Sequence, residues 1–258
     1  MVSPFEPQFA LAGLAIGFLI GVSGVGSGSL MAPVLLLLGI PPATVVGSDL
    51  AFGVFTKSAG VGLYLRRRLI RWRWVWLLAA GSLPGTILGS LLLGHVVRSA
   101  AVVRAWIAAM LVLTSLAALL LDALRRRGVT WVVRLQHPRP WVVSLLGLAI
   151  GAAVGATSVG SGSLIDITLT LFSPLAGAEI VGTGIAHAIL LSSVASAVHW
   201  RLGTIEPALL LNLLTGSIPG VLLGASLASR SPSRSVRWSI AVLVLLSGVS
   251  MFTGSCHR

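Results

Sequence analysis

Long apolar runs, separated by short polar or Gly/Pro-rich stretches, dominate the chain between residues 9 and 252. A helix that crosses a bilayer needs about 20 predominantly apolar residues. This pattern is typical of a polytopic all-α membrane protein. We predict six transmembrane helices from it, at residues 43–65, 74–96, 106–121, 180–200, 207–228 and 238–252.

Two further apolar regions are interrupted by Gly/Ser-rich runs, at residues 21–29 and 155–163. Each run has about a dozen apolar residues on either side, and such an arm reaches only about 18 Å as a helix, against a hydrocarbon core of about 30 Å. We therefore predict a broken or re-entrant helix at both places. The alternative is one long tilted helix whose small residues line a helix–helix contact.

The two Gly/Ser-rich runs are copies of one another. The sequence Val-Gly-Ser-Gly-Ser-Leu occurs at residues 25–30 and again, unchanged, at residues 159–164. Further along, Gly-Ser-Leu-Pro-Gly at 81–85 matches Gly-Ser-Ile-Pro-Gly at 216–220. Matches spread this widely, in the same order, indicate two homologous repeats.

We predict three segments: a first transmembrane repeat in residues 1–121, a basic cytoplasmic linker in 122–140 and a second transmembrane repeat in 141–258. If the interrupted segment enters and returns, each repeat has three transmembrane helices besides it and the repeats are inverted. If it crosses, the repeats are parallel. The short arms, and to a slight degree the positive-inside distribution of arginines, favour inversion, with Arg67 in the cytoplasm and Arg201 outside.

Composition excludes a soluble protein. Of the 258 residues, 56% are hydrophobic and 9% are charged, whereas a soluble domain has about 25% charged residues. The net charge of +12 would suggest nucleic acid, but we predict no such partner because most arginines fall at the predicted membrane faces. The one cysteine, Cys256, permits neither an intrachain disulfide nor a cysteine metal cluster, and we predict no metal site and no cofactor.

The paired Gly/Ser runs are the candidate substrate site. Non-helical backbone inside a bilayer is tolerated only where protein or a water-filled cavity surrounds it, and broken helices at equivalent positions of two repeats point to a transporter's binding site. Half-helices beginning near Leu30 and Leu164 would direct free N–H groups at an anion. Alternatively, the serines cap these half-helices and the glycines only allow close packing. The predicted anion-binding residues are Gly26, Ser27, Gly28, Ser29, Gly160, Ser161, Gly162 and Ser163. We expect replacement of Gly28 or Gly162 by valine to abolish uptake while the protein still folds.

Ionisable residues inside predicted spans are functional candidates by default. Lys57, the chain's one lysine, either adds positive charge to the anion site or forms a salt bridge with Asp49 or Asp166. Asp49 is a coupling candidate. Asp166 either binds a coupling cation or proton, or caps its half-helix. His187 either titrates near neutral pH or packs as a neutral side chain.

Two prolines stand at equivalent positions of the repeats, Pro84 and Pro219. Proline inside a helix produces a kink. The kinks suit either a moving gate or ordinary packing.

The motif set resembles the TauE/SafE sulfite-exporter family of bacterial membrane proteins. The resemblance rests on the Gly-rich turn and Pro-containing apolar run at 24–38, on Pro-Pro at 41–42, on Val-Gly-Ser at 46–48 and on the arginines at 66–68. It implies a two-fold repeat of hydrophobic units in the bacterial inner membrane that moves sulfite, sulfoacetate or related organic anions. It also implies that the two Gly-rich turns bind the substrate.

Together these features predict a secondary transporter that exports a small sulfur-containing anion by alternating access at the repeat interface. The alternatives are an anion channel, an intramembrane enzyme and a structural membrane subunit. The predicted partners are the anion, membrane lipid and a coupling proton or sodium ion, and a homodimer is compatible with the sequence. No Gly-x-x-x-x-Gly-Lys-Ser/Thr loop is present, so ATP hydrolysis is not expected.

Overall fold

The fold is all-helical, as predicted. A computed structural model describes residues 6–23, 27–96, 99–126, 139–175, 177–228 and 234–254, and these form no β-strand. One π-helical turn, Leu92–Val96, extends α4. The α-helices of the described residues are α1 (Pro7–Ser23), α2 (Ser27–Leu37), α3 (Pro42–Arg66), α4 (Trp72–Leu91), α5 (Ala100–Arg126), α6 (Pro140–Thr157), α7 (Ser163–Phe172), α8 (Ala178–Arg201), α9 (Pro207–Ala228) and α10 (Arg234–Gly254).

Five helices are long and apolar enough to cross a membrane: α5, α6, α8, α9, and α4 with its extension. Two helices predicted as spans are not among the five: α10, predicted at 238–252, and α3, predicted at 43–65, which has 25 residues. Its Asp49 and Lys57 and its small polar residues lower its hydropathy. Because its middle, including Leu50 and Phe52, is buried among other helices, α3 needs less apolar surface than a helix that faces lipid.

The interrupted segments differ from the prediction in the length of their first arms. The helices α1 and α6 have 17 and 18 residues, or about 26 Å, because each helix continues into the Gly/Ser run. The expectation that both arms are too short to cross is therefore wrong for α6, which is one of the five span-capable helices. The second arms are short, with 11 residues in α2 and 10 in α7.

Glycines of α4 and α9 make close contacts between the two halves of the chain. Gly81 lies against the backbone of Ser144, and Gly89 lies against the backbone of Ala152. Residue numbers rise together on both helices, so α4 and α6 are parallel. The helices α1 and α9 are parallel in the same way, and their contacts run through Gly13, Gly17, Gly216, Gly220 and Gly224.

The central pair of helices, α3 and α8, is antiparallel. Gly47 near the start of α3 lies beside Thr204, which follows α8, and Gly182 near the start of α8 lies beside Tyr64. In contrast, α4 and α8 are parallel. Their contacts join Arg71 to Thr183, Ser82 to His187 and Gly94 to Leu202. The helices α4, α6 and α8 therefore share one direction, and α3 runs in the other.

The half-helix α7 turns back along α8. Asp166 lies beside Gly184, nearly two turns into α8, whereas Ser161 in the preceding turn lies level with Ser192, near the middle of α8. Because α6 runs with α8 and α7 runs against it, the interrupted segment of the second half is re-entrant. The five-residue turn at its tip, residues 158–162, lies inside the helix bundle.

Candidate functional site

Three residues at four-residue intervals form one stripe on α3: Asp49, Gly53 and Lys57. Side chains spaced in this way lie on the same face of a helix. Asp49 is 1% exposed and Lys57 is partly buried. The stripe faces α2, α8 and the turn between α6 and α7, so elements from both halves of the chain meet it.

The ammonium group of Lys57 is held by hydroxyl groups. Its Nζ atom donates to the Oγ atom of Ser161 at 2.8 Å and to that of Ser192 at 3.4 Å. Among the described residues, no carboxylate lies within the 4.0 Å of Nζ that would define an ion pair. The salt bridge to Asp49 or Asp166 that the sequence left open is therefore not formed, and the lysine charge is solvated by neutral oxygens.

The absence of a side chain at Gly53 lets three polar groups lie close to one point of α3. A Cβ atom at Gly53 would lie 3.1 Å from Ser27 Oγ, 3.4 Å from Lys57 Nζ and 3.8 Å from Ser192 Oγ. We call this polar site, bordered by Ser27, Lys57 and Ser192, the Gly53 cradle. Its walls carry one ammonium group and two hydroxyl groups, which all can donate hydrogen bonds.

The carboxylate of Asp49 lies beside the start of α2 and against the turn between α6 and α7. Its Oδ2 atom is 3.0 Å from the Cβ position of Gly28, and the side chains of Ser27 and Ser158 adjoin its carboxylate. Ser158 has a left-handed backbone with φ 62°. The Oδ1 atom of Asp49 and the Oγ atom of Ser158 are both buried and make no hydrogen bond with any described residue.

The structure brings together Ser27, Gly28, Ser161, Lys57 and Asp49 of the predicted site residues. Gly26 lies outside the described residues. Ser29 is buried in α2, Gly160 has φ 92°, and Ser163 has a buried hydroxyl without a hydrogen-bond partner among the described residues.

The expected free N–H groups of α7 are only partly available. The N–H of Leu164 donates to the carbonyl of Gly160 at 3.1 Å, and that of Asp166 donates to Gly162 at 2.9 Å. The prediction of a free N–H at Leu164 is therefore wrong, because the turn already has helical geometry there. No side chain caps α7, and Ser161 bonds Lys57 rather than the half-helix.

The expectation that Gly28→Val would leave the fold intact conflicts with the packing around this residue. A Cβ atom at Gly28 would collide with the backbone carbonyl of Ser158. Gly28 therefore allows the start of α2 to touch the turn after α6, and its replacement would disturb packing as well as any binding site.

Four further predicted residues lie away from this stripe. Asp166 contacts Gly184 rather than Lys57. His187 is 1% exposed, and its Nε2 atom lies 2.8 Å from Ser82 Oγ, while its Nδ1 atom has no partner among the described residues. Pro84 and Pro219 stand inside α4 and α9, and both helices continue past them.

Sequence reasoning missed Gly53 and Ser192. Gly53 carried a usable signal, since it lies midway between Asp49 and Lys57 on one helical face. Ser192 could also have been found from the sequence. A one-residue insertion changes the offset between the repeated sequences from 134 to 135, and this offset pairs Lys57 with Ser192. The two equivalent positions face each other across the antiparallel α3 and α8.

No group of three or more His, Cys, Asp or Glu side chains within the described parts of the chain is arranged to hold a metal ion.

Comparison with known proteins places the sequence in a family. The family model for the sulfite exporter TauE/SafE matches residues 9–251. The probable membrane transporter protein YjnA of Bacillus subtilis (strain 168) is 35% identical over 248 residues, which cover 93% of this chain and 97% of that protein. The probable membrane transporter protein YdhB of the same organism is 25% identical over 240 residues, covering 93% and 95%. No solved structure gives a significant match.

Proposed function

Because the chain belongs to the TauE/SafE sulfite exporter family, we propose that it is a secondary transporter for a small sulfur-containing anion. It is a multi-pass membrane protein of a transporter family. The proposed substrates are sulfite, sulfoacetate or another organosulfonate, exported across the bacterial inner membrane. The family's name supports sulfite as a first candidate, and the proposal includes no enzymatic step and no cofactor.

One observation carries the choice of an anion: the ammonium group of Lys57 lies beside the Gly53 cradle with hydroxyl groups as its partners. A charged group inside a membrane protein is costly unless it has a function or a counter-ion. An anion in the cradle would supply that counter-ion. Its oxygens would accept hydrogen bonds from Lys57 and the hydroxyls of Ser27 and Ser192.

Helix directions support an alternating-access mechanism. The helices α1 and α6 begin the two halves, so inverted repeats require them to run in opposite directions. The helix α6 shares its direction with α4 and α8 and runs opposite to α3. The helix α9, parallel to α1, starts at the same end of the bundle as α3, since the N–H of Glu206 bonds Ser48 at 3.2 Å. These directions support inverted repeats in residues 1–121 and 141–258, whose rocking about a shared central site would expose it to each side in turn.

The test is a flux assay in proteoliposomes with sulfite, sulfoacetate, taurine and sulfate, under imposed proton and sodium gradients. We expect saturable flux of at least one sulfur anion, absent from empty liposomes, with trans-stimulated exchange of labelled for unlabelled substrate. Flux without trans-stimulation would indicate the channel alternative, because a channel has no carrier state that must return. Absence of flux for every anion would contradict the proposal.

A further inference from the structure

Asp49 is a buried carboxylate placed beside the proposed anion cradle. It stands one helical turn from Gly53, on the same face of α3, or about 6 Å along the helix axis. Its Oδ1 atom has no hydrogen-bond partner among the described residues, and neither has the adjacent Ser158 hydroxyl. Lys57 lies one turn beyond Gly53, so the cradle has a carboxylate on one side and an ammonium group on the other.

We infer that Asp49 takes up a proton when the anion binds beside Lys57, so that anion and proton are bound and carried together. The inference rests on the proposed function, because it requires an anion in the Gly53 cradle. Without the anion, the carboxylate of Asp49 balances the charge of Lys57 without touching it. With the anion present, Lys57 has a nearer partner, and Asp49 faces a second negative charge about one helical turn away.

Like charges at this separation in a water-poor site disfavour each other, and the carboxylate relieves the repulsion by binding a proton. The protonated carboxyl group has an O–H that the Ser158 hydroxyl is placed to accept. Both of the unpartnered atoms then gain a hydrogen bond. The left-handed backbone of Ser158, whose counterpart in the first repeat is Gly24 at an offset of 134, brings this hydroxyl to Asp49.

Few other ionisable groups approach Asp49. The start of α2 contributes Ser27 and Gly28, and the turn after α6 contributes Ser158, none of which titrates in this range. The remaining ionisable groups of the elements packed on α3 are Glu179, His187, His199 and Arg201 of α8, Arg104, Asp122, Arg125 and Arg126 of α5, Arg139 before α6 and Glu206 before α9. Glu179 pairs with Arg71, and Arg201 is exposed. Both histidines have other partners, since His187 bonds Ser82 and His199 bonds Thr204 and the carbonyl of Gly155.

Calorimetry on the full-length protein in detergent tests the inference. The probes are methanesulfonate and sulfoacetate, whose own charges do not change between pH 6 and 8, unlike that of sulfite. Titration in buffers with different ionisation enthalpies counts the protons taken up per anion bound. If anion and proton strengthen each other's binding about tenfold, uptake peaks at about half a proton per anion.

Variants assign the proton to a residue. Asp49→Asn preserves shape and should bind the anion with no proton uptake, whereas Glu179→Gln, at an exposed ion pair with Arg71, should keep the uptake of the unmodified protein. Binding without proton uptake in the unmodified protein would overturn the inference and leave the proposed function standing. Uptake that persists in Asp49→Asn and disappears in His187→Gln or Asp166→Asn would overturn it too. Absence of binding by either probe would contradict the anion site and this inference with it.

Discussion

The Nζ atom of Lys57 in the first half of the chain lies 2.8 Å from the Oγ atom of Ser161 in the second. This hydrogen bond joins the middle of α3 to the turn between α6 and α7. A motion that separates the two halves must lengthen or replace it. In the proposed transporter, Lys57 would therefore link anion binding to the relative position of the two halves.

Replacement of Lys57 by methionine should weaken anion binding strongly. Methionine keeps much of the length of the side chain and removes its charge and its hydrogen bonds. A hydrogen bond to a charged group contributes roughly 1.5–3 kcal/mol, so the dissociation constant for sulfite should rise about 10- to 150-fold. The measurement is equilibrium binding to purified protein at constant ionic strength.

The matched control is Arg66→Met, which removes the same charge from the exposed end of the same helix. It should leave the dissociation constant within about twofold, because salt screens exposed charges more than about 10 Å away. Equal affinities for Lys57→Met and the unmodified protein would make Lys57 a structural residue.

A methyl group at Gly53 should obstruct the cradle. In Gly53→Ala the new Cβ atom would lie 3.1 Å from Ser27 Oγ and 3.4 Å from Lys57 Nζ, where an anion oxygen would otherwise be accommodated. We expect anion flux to fall at least about tenfold, the cost of losing one hydrogen bond of about 1.4 kcal/mol, with little change in thermal stability. The measurements are proteoliposome flux and the melting temperature.

Gly60→Ala is the control for this experiment. Gly60 lies on the same helix, and nothing lies within 4 Å of its Cβ position, so alanine there tests the effect of helix propensity without filling the cradle. Normal flux in Gly53→Ala would show that the substrate binds elsewhere.

The sequence predicted the parts of this site that depend on local pattern. The Gly/Ser run placed the turn and Ser161, and the scarcity of charge identified Lys57 and Asp49. It did not predict that Ser192 faces Lys57, because which side of α8 meets α3 is set by the packing of all the helices together. It also did not predict the packing of Gly28, since a glycine that binds a ligand and one that contacts the carbonyl of Ser158 look alike in sequence.

Substitution of the glycines at the contacts between the halves should lower thermal stability rather than anion affinity. Alanine at Gly81 would drive its Cβ atom into the carbonyl of Ser144, and alanine at Gly216 would do the same at Ala10. Overpacking of this kind costs about 1–3 kcal/mol. Gly81→Ala and Gly216→Ala should therefore each melt several degrees lower than the Gly60→Ala control, measured by tryptophan fluorescence in detergent. Unchanged melting temperatures would show that α4 and α9 can move away from α6 and α1 at no cost.

Because α3 and α8 are antiparallel, their C-terminal ends should lie at opposite faces of the membrane. Arg67 follows the end of α3 and Arg201 ends α8, and both are exposed. The positive-inside bias puts the arginine-rich end of α3 in the cytoplasm. In a Cys256→Ser background, a membrane-impermeant maleimide added to intact spheroplasts should label Arg201→Cys, whereas Arg67→Cys should react only after permeabilisation. Both variants should react fully in detergent, which controls for reactivity. Labelling of both from one side would contradict the antiparallel pair and with it the inverted repeats, because inverted repeats require the two ends to lie at different faces. Labelling from opposite sides in the reverse sense would contradict only the orientation, because the arginines decide which end faces inward.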